Sequence, residues 1–364
     1  MIKRIKFFLA AVAVLFSSGL FGQDINAFMD VNNRLYQFNA GQFTQIYYQQ
    51  IGNLFIGNTY VCFIDSKGDI YVDYQGEKIL MGQTYNELQV TDNLLIMRTA
   101  GVIRVFDQGI KHILTSNATN FAYGDSIVVF QDLIGGYVKY YYQDEVRQVA
   151  MVVGDYPFSA KDVGANLFVY RDNTGNSSLF WRGNFYSILS TNQPISFACG
   201  QDVAAFNDPV NGTFTVFDNG YIIDAEPQHC QNYACGNNFV YYKDASGVHR
   251  VYREERKTEL GYDLQNINVS DSLVVFNDVG ITKIWYNEEV YRIYNDVVTN
   301  RQIDGGIMAY TNKWGGVSAF VRGKEIEITR QRVEEFRLQG STIMLKYSRS
   351  AFSVWWQGQL YDFL

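Results

Sequence analysis

An aromatic residue returns along this chain at an interval that a single compact core would not produce. Ahead of each tight turn of type NE, DN, RG or QG stand Phe38, Tyr74, Phe106, Tyr142, Trp181, Phe217, Tyr252, Tyr286, Val321 and Trp356. Nine of the ten are aromatic, and the 318 residues between the first and the last make nine steps of about 35. A second column runs in register through Phe28, Phe63, Met97, Phe130, Tyr170, Phe206, Tyr242, Phe276, Tyr310 and Lys346. A fixed interval of about 20–50 residues marks a chain made of one supersecondary unit repeated, each too thin to bury its own apolar face.

The stretch around Asp271 shows what the unit is. NINVS (266–270), LVVFN (273–277), KIWY (283–286) and VYRIY (290–294) read as four short strands, joined at Asp271-Ser272, at the loop DVGIT and at Asn287-Glu288. Three tight connections and then a longer one describe an antiparallel meander followed by a crossing to its neighbour. Leu273 to Phe276 and Ile307 to Tyr310 are apolar on both faces of their strand, so both faces must be covered. Fourth strands such as EIEIT (325–329) and VRQVAM (146–151) mix charge with apolar residues, as suits an exposed edge. Sheets stacked face to face, each with a buried inner region and a solvated rim, make an all-β fold of the β-propeller type. The expectation is about ten four-stranded antiparallel blades over residues 23–364. A single array is favoured, because Val163, Cys199 and Cys235 keep the register through the midpoint; two five-bladed propellers are the alternative. The first unit shows no first strand.

Units such as FVYYKDASGVHRVYREERKTEL (239–260) resemble the blades of TolB-type periplasmic propellers, with an apolar strand, Asp, a Gly-containing loop and an aromatic strand. The resemblance is one of repeat style over the whole of 23–364. It implies the fold and leaves the activity open.

The start of the chain addresses compartment. Lys3, Arg4 and Lys6 precede an uncharged stretch, residues 7–22, which is the pattern of a cleavable export signal over residues 1–22. The predicted location is periplasmic or extracellular. Loss of that segment takes the formal charge from −7 to −10. An acidic chain with no basic run is a poor partner for nucleic acid. No other segment reaches the length of a membrane-spanning helix.

Residues with chemical potential fall mostly into the repeat. Asp30, Asp65, Asp132, Asp172, Asp208, Asp244 and Asp278 each follow the second-strand column by two residues, where other units carry Thr99, Asn312 and Ser348. Those four residue types share the ability to hydrogen-bond a turn, so these carboxylates are expected to staple loops. Cys62, Cys199 and Cys235 stand in columns of aliphatic residues, and Cys230 lies in a connection. An exported chain could join Cys199 to Cys235 or Cys230 to Cys235 as a disulfide, and spacing does not choose. Three His offer little imidazole, and no metal or cofactor is expected. His112 and His249 read as rim residues. No nucleophile elbow, zinc-binding helix motif or phosphate loop is present. The nearest candidates for a central acid or base are Asp162, Asp304, Glu334 and Glu335. Among aromatics beyond the columns, Tyr140-Tyr141-Tyr142, Trp355-Trp356 and above all Trp314, beside Gly315 and Gly316, are candidate ligand contacts. The expected role is a non-catalytic binding scaffold whose partner is another protein. A glycan is the alternative ligand, and a glycoside hydrolase or lyase is a lesser one.

Overall fold

The computed structural model describes residues 25–151, 161–172, 174–191, 193–293, 298 and 300–363. The expected export signal lies outside the described residues. Among the described residues there is no helix, and the strands form ten separate antiparallel sheets, eight four-stranded and two three-stranded. These are ten blades.

Blade 8 shows why the sequence folds this way. Its strands Gln265–Val269, Leu273–Asp278, Ile281–Tyr286 and Glu289–Arg292 pair in chain order. The last turn holds Asn287 and Glu288 at φ of 49° and 69°. Two successive positive φ values give the turn whose twist matches a hairpin. Along the second strand successive side chains point to opposite faces. Leu273 and Val275 therefore meet Met308 and Phe320 of blade 9, while Val274 and Phe276 meet Phe239, Tyr241 and Val251 of blade 7. All four of these strand residues are fully buried. At about 1.5–3 kcal/mol for each large apolar side chain, such contacts between blades are the main stabilising term. The outer strands carry the exposed edge, as in Lys324–Thr329 with Glu325 and Glu327 facing solvent.

The blades close into one ring. Blade 1 packs Ile25, Ala27 and Leu35 on Ile56, Val61 and Phe63 of blade 2, and Phe28 and Phe38 on Met344, Phe352 and Val354 of blade 10. Asn26 Nδ2 donates to Thr342 Oγ1 at 3.1 Å across the same junction. The alternative of two five-bladed rings is therefore excluded. Among the described residues two blades show three strands. Blade 5 has Leu167–Arg171, Asn176–Trp181 and Asn184–Ser190, and on its inner side a bridge joins Val163 to Phe168. Blade 1 has Ile25–Met29, Leu35–Asn39 and Gln42–Tyr47, and its first described strand is equivalent to the second strand of other blades.

Candidate functional site

Antiparallel connectivity gives the ring two unlike faces. The turns from inner to second strand and from third to outer strand lie at one end of every blade. The loops from second to third strand and the crossings between blades lie at the other.

At the first end, the inner turns converge on the axis and hydrogen-bond to one another. Asn58 N–H donates to Asp92 O at 2.8 Å, Ser126 to Ala165 O at 3.0 Å, Ala165 to Gly200 O at 3.1 Å and Asn237 to Asp271 O at 2.7 Å. The Gly340 N–H donates to the Asp304 carboxylate at 2.6 Å. So close an approach requires residues without side chains. A Cβ on Gly124, Gly164 or Gly200 would stand 1.8–1.9 Å from the carbonyl oxygen of Gly164, Gly200 or Gly236 in the next blade.

This collar borders a cavity of about 540 Å³ lined by Asp92, Asp125, Asp271 and Asp304, with Leu54–Ile56 of blade 2 on one side and Arg337 and Gln339 of blade 10 on another. A second space of about 230 Å³ continues from Asp125 and Asp271 past Gly164, Cys199 and Cys235. Four half-buried carboxylates from four blades thus share one volume. Burial, followed by the charges of Asp92 and Asp271, pushes the Asp125 carboxyl up to about 7. Burial likewise lifts Asp304 to about 6, against the Gly340 hydrogen bond that opposes it. Asp92 is raised by burial, and Asp271 by burial and then by Asp92. Among the described residues no group of three His, Cys, Asp or Glu could hold a metal ion. Asp125 and Asp304 are thereby lifted toward neutral pH.

Sequence reasoning reached only Asp304 of this set. Asp162, Glu334 and Glu335 do not line the cavity. Asp92, Asp125 and Asp271 were missed, because their turns were read as connections and not as the lining of an axis. The signal was present: T-D-N, G-D-S and S-D-S occupy one register position immediately before the second strand.

The loop aspartates do staple turns. Asp65 Oδ1 accepts from Lys67 N–H at 2.8 Å and Asp69 N–H at 2.9 Å, and Asp30, Asp132, Asp172, Asp208 and Asp244 accept from their own loops in the same way. Burial alone would raise Asp244, but the Ser246 and Arg250 hydrogen bonds outweigh it and hold the carboxyl at about 2.

The second end exposes large hydrophobic side chains among polar ones. Val31, Leu133, Ile134, Val210, Val279 and Trp314 stand on loops between second and third strands, and Tyr48, Tyr85 and Tyr262 on crossings between blades. Val279 is 94% exposed at its loop tip. Trp314 is 54% exposed, with the Lys313 ammonium 4.9 Å and the Arg330 guanidinium 5.9 Å from its ring centroid. The remaining exposed large hydrophobics lie along outer strands or beside their turns, as at Phe185, Ile222 and Leu360.

Other expectations are corrected. Tyr140, Tyr141 and Trp355 are buried between blades. His249 is no rim residue: it is 4% exposed, its Nδ1 lies 2.6 Å from Tyr241 Oη, and burial lowers its pKa. Cys62, Cys199, Cys230 and Cys235 all stand as free thiols in the structure. Cys199 and Cys235 lie on inner strands of adjacent blades, and Cys235 Sγ donates to Ala198 O at 3.2 Å. Burial pushes the Cys62 and Cys230 thiols up to about 12, and burial likewise raises Cys199 and Cys235.

A closed ring of ten blades, with an acidic axis at one end and several exposed apolar loop residues at the other, defines a large all-β propeller. The chain belongs to the ten-bladed β-propeller family: the family described as "10-bladed beta propeller domain" matches residues 20–361. No curated protein sequence matches the chain. Among solved structures, the computationally designed protein Ika8 is similar at 16% identity and a TM-score of 0.35, over 74% of this chain and 95% of that one. Prp20p from Saccharomyces cerevisiae, described with its binding to Gsp1p and histones, is 11% identical with a TM-score of 0.33, over 58% of this chain and 76% of that one. Hsv2 from Kluyveromyces lactis is 10% identical with a TM-score of 0.30, over 75% of this chain and 98% of that one.

Proposed function

We propose that this protein is an exported, non-catalytic scaffold that binds another protein through the face built from second-to-third-strand loops and blade crossings. One observation carries the reading: the exposed large hydrophobics away from the outer strands and their turns stand together at that end of the ring. Side chains held open to water on short loops of a rigid ring lose little freedom when a partner covers them. A basic start and blades that resemble those of TolB-type periplasmic propellers support export. The repeated aspartates are taken up by their own turns, which favours recognition over chemistry.

Capture from native envelope or growth medium tests the proposal, with wild type beside a Trp314→Ala, Val279→Asp double variant. Both residues are solvated, so the variant should keep the wild-type melting midpoint while losing the captured partner. No specific partner for wild type, or equal capture by both proteins, would count against it. The presence of Tyr48, Tyr85, Tyr262 and Trp314 on that face favours a glycan as second reading, since flat rings stack on sugars. The aliphatic tips Val31, Leu133, Ile134, Val210 and Val279 favour protein. A glycan array without signal removes the glycan.

A further inference from the structure

A pocket of about 230 Å³ opens at the second end of blade 8, between the crossing that enters the blade and the loop joining its second and third strands. Asp263, Gln265 and Asn266 line it from the crossing and the inner strand, and Asn277, Val279 and Gly280 from the loop side. The backbone sets these side chains in place. Asp263 and Asn266 stand at φ of 50° and 51°. Gln265 pairs with Asn277 and Asn268 with Val275, which leaves one extra residue in the inner strand. Such a bulge re-aims a side chain from the direction its strand would give it.

Four polar side chains here carry hydrogen-bonding groups that the protein does not use. Asn277 is 7% exposed, and its Oδ1 accepts from Thr282 Oγ1 at 3.0 Å, while its Nδ2 has no acceptor among the described residues. Asn207 fills the same register position in blade 6, and there both ends of the amide are taken. Its Nδ2 donates to Cys230 O and its Oδ1 accepts from Cys230 N–H, each at 2.9 Å. A buried donor without a partner is costly and uncommon. The Asp263 carboxylate and the Gln265 and Asn266 carboxamides likewise make no hydrogen bond to the described residues. The set is particular to blade 8. Blade 7 repeats the pair as Gln231 and Asn232, the latter at φ of 49°, but Lys243 and His229 stand where blade 8 has Asn277 and Asp263.

Three carboxamides and one carboxylate set donors and acceptors side by side, the mixture that suits a hydroxyl, which is both at once. A calcium ion would ask for about six to eight oxygens, several of them from carboxylates. Tyr262, next to Asp263 in the crossing, is exposed and offers a flat face to the apolar side of a ring. We infer that this pocket binds one neutral sugar ring, its hydroxyls on Asp263, Gln265, Asn266 and the Asn277 Nδ2 and its carbon face on Tyr262. A free hexose and the last residue of a glycan present the same chemistry. The inference narrows the glycan reading of this face to one pocket, and the two can fail separately.

Saturation-transfer NMR tests the pocket with free glucose, galactose and mannose, with oligosaccharides that end in each of them, and with a terminally blocked trialanine peptide. At least one neutral hexose should bind, free or chain-terminal, at about the millimolar strength of so small a ligand. Asn277→Asp keeps the acceptor for Thr282, removes the donor and sets a second carboxylate near Asp263, so it should weaken binding at least about tenfold. Tyr262→Ala alters a solvated position and should weaken binding while keeping the wild-type melting midpoint; it decides the question if Asn277→Asp does not fold. No transfer from any sugar, binding that neither variant changes, or transfer from the peptide alone would overturn the inference. A glycan-array signal that both variants retain would overturn the pocket and leave the glycan reading standing.

Discussion

Asp125→Asn should stabilise the protein at pH 8 and change it little at pH 4. The Asp125 carboxyl is held at about 7 in place of 3.8, with burial the first cause and the Asp92 and Asp271 charges next. Charging it inside the ring at pH 8 therefore costs about 4 kcal/mol more than in the unfolded chain. Water in the open axial cavity screens part of this, leaving about 2–3 kcal/mol. The sign follows from linkage. Well below pH 3.8 the group is protonated in both states and the cost is absent; little of it has developed by pH 4, and it grows as pH rises toward 7 and is complete above 7. Asn keeps an oxygen acceptor and cannot ionise. At roughly 2 °C per kcal/mol for a large domain, the variant should melt about 4–6 °C above wild type at pH 8. Tyrosine and tryptophan fluorescence during heating, at pH 4 and pH 8, reads the effect. A variant no more stable than wild type at pH 8, or a gain of equal size at both values, would refute the placement of this carboxylate in a half-buried acidic axis facing Asp92, Asp271, Asp304 and Arg337.

Two further outcomes test the collar and the thiols. Gly164→Ala places a Cβ 1.9 Å from the Gly200 carbonyl oxygen and should cost at least about 2–3 kcal/mol in urea unfolding, whereas Gly183→Ala meets no atom within 4 Å and should cost about 1 kcal/mol through its positive φ alone. Equal losses would show that the turns do not touch. Titration with an aromatic disulfide reagent at pH 8 should find no fast-reacting thiol in the native protein and all four in denaturant; two thiols in denaturant would reveal a disulfide.

The sequence carried the blades because their signal is local. Turn pairs such as Asn287-Glu288 and the doubly apolar run from Leu273 to Phe276 each dictate a conformation within a few residues, and ten repetitions made the register plain. Ring number was less legible, since it depends on contacts such as Phe28 against Phe352, 4.6 Å apart between centroids and at opposite ends of the chain. The axial carboxylates were hidden for a related reason. Asp92 and Asp271 belong to blades 3 and 8, and only the closed circle makes them neighbours. Tyr141 misled in the other direction: a run of three tyrosines suggests exposure, but two of them alternate into the spaces on either side of their own sheet. Trp314 is exposed as expected, because its loop runs past the end of the blade.

The junction of blades 1 and 10 has a consequence for how the molecule assembles and comes apart. Each sheet is built from strands that are consecutive in the chain, so nine of the ten joints are covalently continuous; among the described residues the tenth is held by Asn26, Thr342, Arg337 and the apolar contacts of Phe28 and Phe38 with Met344, Phe352 and Val354. Such a molecule resembles a belt with one buckle, in which the contacts that close the circle join the two ends of the described chain. Tying the natural ends together and cutting the chain between two other blades would move the buckle elsewhere and leave the belt intact.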